Sequence, residues 1–111
     1  MYTIKKLHTH IQNFLSELEV NNFVISRVVL FGSYAKGGVH ENSDIDLAIW
    51  LKNYTDQQQD FLSKISAKFY PINAKFYDAN ETEEEDPFVG IIEQTGKELP
   101  IENIKKTTLW T

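Results

Sequence analysis

Two carboxylates spaced two residues apart, Asp44 and Asp46, carry the chemistry of this chain. Ile45 lies between them, and the apolar run Leu47, Ala48, Ile49, Trp50, Leu51 follows. In an extended strand residues i and i+2 face the same way, so the two acids project together at the start of a buried strand. Side by side they repel, and both stay ionised comfortably only near a cation. Hard divalent cations such as Mg²⁺ or Mn²⁺ take oxygen ligands of this kind. Upstream, at the end of a second apolar run (Val28, Val29, Leu30, Phe31), stands Gly32-Ser33. The glycine allows close backbone approach and the serine brings a hydroxyl, which together suit a phosphate. Such a combination describes a site for a metal-chelated nucleoside triphosphate.

The whole string, Gly32-Ser33-Tyr34-Ala35-Lys36-Gly37 through Asn42-Ser43-Asp44-Ile45-Asp46-Leu47-Ala48-Ile49, resembles the signature of the nucleotidyltransferase superfamily that includes DNA polymerase beta. That signature is Gly-Ser, a spacer, then Asp-x-Asp. The form and the short length look most like the minimal nucleotidyltransferases, small prokaryotic proteins of which many are antitoxin partners of HEPN-domain toxins. The resemblance covers about residues 28–51. It implies transfer of a nucleotidyl group from a triphosphate to a hydroxyl, with ATP as substrate, Mg²⁺ or Mn²⁺ as cofactor and a HEPN-type toxin as protein partner. It places Gly32 and Ser33 on the phosphates, with Lys36 where the family often has arginine. It makes Asp44 and Asp46 the metal-binding, catalytic pair. Lys36 reads equally as a solvated loop lysine, and Ser43 as a turn cap.

The resemblance also implies a third carboxylate on the next core strand, completing the metal that activates the nucleophile. Here that strand reads Ala74-Lys75-Phe76-Tyr77-Asp78, and the metal-binding position falls on Lys75. Asp78 has the opposite strand parity and faces away unless a bulge turns it. Asn73 shares the face of Lys75 but is a neutral, poor Mg²⁺ ligand. Acids from Glu81 onward are a further source of oxygen ligands. Lys75 at this place neutralises the acidic pair without offering an acceptor to metal, so nucleotide binding survives while transfer weakens. The alternative is that its stem lies along the strand end and its ammonium reaches solvent.

Other reactive residues carry weaker signals. His8 and His10 are two apart and do not share a helix face. With His40 they are expected to be surface histidines rather than zinc ligands. Tyr34 packs or stacks on a base, and Trp110 reads as packing or interface. The acidic run Glu81–Asp86 reads as a solvated loop able to attract a basic partner.

The elements that position these residues follow from periodicity. Ile4, Leu7, Ile11, Phe14, Leu15 and Leu18 form a helical stripe, with Thr3 as cap and Asn21-Asn22 as stop. A strand over Ser26–Phe31 runs into the Gly-Ser turn, where a short helix begins at Ser33 until Gly37-Gly38 breaks it. A second strand covers Ile45–Leu51. A helix from about Asp56 to Phe69, capped by Thr55 or Asp56, presents Phe61, Leu62, Ile65 and Phe69, and Pro71 ends it. A third strand spans Ile72–Tyr77. Asp86-Pro87 opens a last helix that runs through Phe88, Ile91 and Ile92 to the stop at Gly96. The tail from Leu99 carries Ile101, Ile104, Leu109 and Trp110, apolar residues for the domain or a partner. The order predicts an α/β fold with a small mixed sheet flanked by helices, the topology that the resemblance implies.

With 111 residues, the chain is expected to be one domain, 1–111. Hydrophobic residues at 41% are enough for a modest core, and a net charge of −5 disfavours a nucleic-acid surface. There is no cysteine, which excludes disulfides and thiolate zinc sites. No run is apolar enough for a membrane span or a signal peptide, so the cytoplasm is the expected compartment. Three functions compete: a nucleotidyltransferase acting on a partner's hydroxyl, a catalytically weakened nucleotide-binding antitoxin, and a small-molecule transferase like those of aminoglycosides. The last is disfavoured because such enzymes carry an extra acceptor domain.

Overall fold

The protein is described from a computed structural model, over residues 4–32 and 44–100. Its elements are α1 (Ile4–Val20), β1 (Ile25–Phe31), β2 (Ile45–Leu51), a 3₁₀ turn (Asp56–Gln58), α2 (Gln59–Ala67), β3 (Ile72–Asp78), α3 (Pro87–Thr95) and β4 (Lys97–Leu99). The sheet order is β3-β2-β1-β4. β1 runs antiparallel to both β2 and β4, while β2 and β3 are parallel. This is the mixed sheet expected from the α/β order, with β4 as an addition.

β2 is central and buried on both faces, so its sequence is apolar almost throughout. Asp46 is the one charged interruption within it. One face of the sheet (Val28, Leu30, Ile45, Leu47, Ile49, Leu51, Ile72) packs under α1 and α2. From α1 come Leu7, Ile11, Phe14, Leu15 and Leu18, and from α2 Leu62 and Ile65. The other face (Val29, Ala48, Trp50, Tyr77) packs under α3 through Val89 and Ile92, with Phe31 and Phe88 alongside. α1 ends where Asn22 takes a left-handed conformation, φ 71°, the usual way for a helix to stop.

Several boundaries move from the expected ones for local reasons. The long helix over 56–69 becomes a 3₁₀ turn followed by α2, which ends at Ala67. The Gln58 side chain accepts from the Thr55 amide at 2.9 Å, tightening that first turn. Phe61 is not core: it is 47% exposed, with its ring centroid 6.0 Å from that of the buried Phe23. α3 starts as expected, with the Asp86 carboxylate accepting from the Phe88 amide at 3.0 Å and Pro87 in the first turn. β4 was not expected. Gly96 ends α3 against Val29 and the Leu30 carbonyl, where a Cβ would come within 2.4 Å of Val29 Cγ1. The chain then pairs directly with β1. Arg27 fastens this corner, with its guanidinium 4.8 Å from the Trp50 ring centroid and bonded to Glu93 of α3 and Glu98 of β4.

Candidate functional site

The site is built where β1 ends and β2 begins. Phe31 pairs with Asp46 across the antiparallel ladder, so the residue after β1 lies against the aspartate. That residue is Gly32, with φ 72°. A Cβ there would stand 2.3 Å from Asp46 Oδ2. Glycine is therefore required twice, for its left-handed backbone and for the carboxylate resting on its Cα. Asp46 is on the α3 side of the sheet, in line with Ala48 and Trp50. Asp44, one residue before the strand, is exposed.

Asp46 Oδ1 accepts from Asn73 Nδ2 at 3.3 Å. The bond follows from the parallel register, which sets Asp46 opposite Asn73 and Ala48 opposite Lys75. Lys75 thus lies one step further along the same face of β3. Its Nζ sits 5.3 Å from the Phe88 ring centroid, and Phe88 in turn meets Phe31 edge to face. Burial raises the Asp46 carboxyl above its ordinary value; the Asn73 bond opposes this, the Asp44 charge adds to it and the Lys75 ammonium lowers it. The two aspartates repel, and a cation from the protein already acts on one of them.

The other candidate acids lie elsewhere. β3 pairs regularly along its length, so no bulge turns Asp78 toward the site. Asp78 is opposite Leu51 at the far end of the strand, about 17 Å from Asn73 at the usual rise of a strand. The loop acids gather near that same end. The Glu81 carbonyl accepts from Trp50 Nε1 at 3.0 Å. Burial, then the charges of Asp86 and Glu81, push the Tyr77 hydroxyl to about 12. Among the described residues, no three His, Cys, Asp or Glu are grouped closely enough to hold a metal ion.

Gly32 lies against Asp46, and the charge of the exposed Asp44 acts on Asp46. Ser33, Tyr34, Lys36, His40, Ser43, Leu109 and Trp110 lie outside the described residues. His8 is not a surface histidine: it is buried in α1, and burial together with Lys97 lowers its basicity. His10 bonds through Nε2 to the Phe69 carbonyl at 2.7 Å. Sequence reading undervalued Asn73, which is the direct partner of Asp46, and missed the seat of Lys75 on Phe88. The parity of β3 puts both residues on one face. Only the strand register distinguishes the residue opposite Asp46 from the one beyond it.

A mixed sheet with helices on both faces, opening through a glycine turn onto two acids, defines the class as an α/β domain. The chain belongs to the polymerase beta nucleotidyltransferase family, whose model, "Polymerase beta, Nucleotidyltransferase", matches residues 10–104. No curated protein matches the sequence. Among solved structures, the fold is similar to a chain in a crystal structure of a toxin-antitoxin with AMP-PNP. The TM-score is 0.56 at 21% identity, covering 86% of this chain and 79% of that one. No helix among the described residues is long and apolar enough to cross a membrane.

Proposed function

We propose that this protein is an antitoxin-type minimal nucleotidyltransferase that binds ATP with a divalent cation and transfers AMP to a hydroxyl of a partner protein. The observation that carries the reading is the seat of Asp46 on the left-handed Gly32. It fixes a carboxylate beside the backbone turn where the family motif handles phosphates. Asp44 and Asp46 supply hard oxygen ligands for Mg²⁺ or Mn²⁺, and Gly32, Ser33 and Lys36 take the phosphates. The metal, when bound, neutralises charge on the phosphate oxygens. The protein's own part is to hold the Asp46 carboxylate in place before the nucleotide arrives.

Support for a protein partner comes from the toxin-antitoxin neighbour, solved with a nucleotide analogue. A HEPN-type toxin, with its hydroxyl as acceptor, is the partner this reading names, and the cytoplasm is its compartment. A second reading, a nucleotide-binding antitoxin with weak transfer, is favoured by Asn73 and Lys75 beside Asp46.

Calorimetric titration of ATP with Mg²⁺ into the wild type and Asp44→Asn tests the site. Losing one carboxylate should weaken binding by at least about ten-fold, the scale on which metal sites respond to a lost supporting group. Equal binding by the two proteins would refute the assignment.

A further inference from the structure

Among the described residues, the side chains around Asp46 offer two carboxylates to a dication and set an amide and an ammonium beside them. Asp44 and Asp46 contribute two negative charges, and Lys75 returns one positive charge on the same sheet face. The residue directly opposite Asp46 is an amide that offers an N–H to its Oδ1. That is the place from which a third carboxylate would reach a cation shared with Asp46. No third acid replaces it among the described residues, since Asp78 and the loop acids stand at the other end of β3. A second dication would have to sit near an ammonium, with a neutral amide where a third carboxylate would otherwise face it.

We infer that this protein holds a single divalent cation with its nucleotide, and that Asn73 and Lys75 are the residues that restrict it to one. This rests on the nucleotide-site reading above and deepens it. Asn73 sets the limit by geometry. As a neutral donor opposite Asp46 it keeps one carboxylate oxygen engaged, and it brings no charge to a metal. Lys75 sets it by charge. Its ammonium rests on the Phe88 face, close enough to act on Asp46 while remaining on the exposed edge of β3. Asn73, rather than Lys75, is therefore the position at which an added carboxylate would face Asp46. Lys75 is the position whose neutralisation would let a second cation stay.

Mn²⁺ titration followed by electron paramagnetic resonance, with a non-hydrolysable ATP analogue in excess, counts the bound ions. The wild type should hold one Mn²⁺ per chain. Asn73→Asp combined with Lys75→Gln should hold two, the second at least about ten-fold tighter than any second ion in the wild type. Lys75→Gln alone should strengthen a second ion by less. Both side chains are exposed, and circular dichroism of each variant checks that the fold is kept. Two ions of similar affinity in the wild type would overturn the inference and leave the nucleotide site standing. A double variant that folds and still holds one ion would overturn the roles of Asn73 and Lys75. A wild type that binds no Mn²⁺ would overturn both this inference and the nucleotide-site reading.

Discussion

Gly32 is the residue on which the candidate site depends most directly. Its φ of 72° lies in the left-handed region, where an L side chain costs roughly 1–2 kcal/mol. The missing Cβ also leaves the space that Asp46 Oδ2 fills. Gly32→Ala therefore acts twice: it strains the turn, and it pushes the carboxylate out of its seat. We expect a stability loss of about 1–2 kcal/mol from the backbone term, together with a fall in ATP–Mg²⁺ affinity larger than that loss explains. Urea unfolding and calorimetry on the same variant separate the two. Unchanged affinity in a destabilised protein would show that Asp46 finds its place without the glycine. Asp44, by contrast, is exposed and has no such seat among the described residues, so the ligand role proposed for it rests on spacing alone.

At the scale of elements, α3 covers the second face of the sheet and carries Phe88 to Lys75. Its first turn is held by Asp86, whose carboxylate accepts from the Phe88 amide. Removing such a cap usually costs about 1 kcal/mol. Asp86→Ala should lower stability by about that amount. It should also loosen the turn that presents the Phe88 ring to Lys75 and Phe31. Amide hydrogen exchange reads this: faster exchange confined to the start of α3 is expected, and uniform acceleration through the sheet would show that the cap serves the whole fold instead. This cap is legible in the sequence because acid and proline stand together at Asp86-Pro87. β4 is not, because three residues are too few to show a period, and its strand character comes from docking on β1 at Val28, Val29 and Leu30.

For the whole molecule, pH reports on a buried titratable group in the α1 layer. His8 is 5% exposed, and its pKa lies below the ordinary 6.5, first through burial and then through the Lys97 charge. A base whose folded pKa is depressed binds protons more readily when unfolded. The stability this represents is present above pH 6.5 and is lost as pH falls through the lower, folded value. His8→Gln, neutral at every pH, should remove that part of the acid sensitivity. Melting curves from pH 7.5 down to about pH 5 should fall less steeply for the variant than for the wild type. Parallel curves would show that other groups carry the acid response. The contribution is global because α1, α2 and one sheet face form one continuous core, so a charge forced into that layer weakens the fold as a unit.

By itself the sequence determined the pieces and their parity. Gly32, Asp44 and Asp46 were legible as a candidate site because glycine, paired acids and flanking apolar runs each have a local cause: backbone freedom, the two-residue strand repeat and burial. The helix stripe of α1, the apolar continuity of β2 and the cap of α3 were legible for the same reason. Tertiary structure decided what faces what. Parity placed Asn73 and Lys75 on one face, but the parallel register alone put Asn73 opposite Asp46 and Lys75 one step beyond. A parallel register is set by how α2 returns the chain to the sheet, and no local repeat in β3 encodes it. The same holds for Asp78, kept far from the site by a regular ladder, and for His8, buried because of where the helix lies on the sheet and not because of its own chemistry.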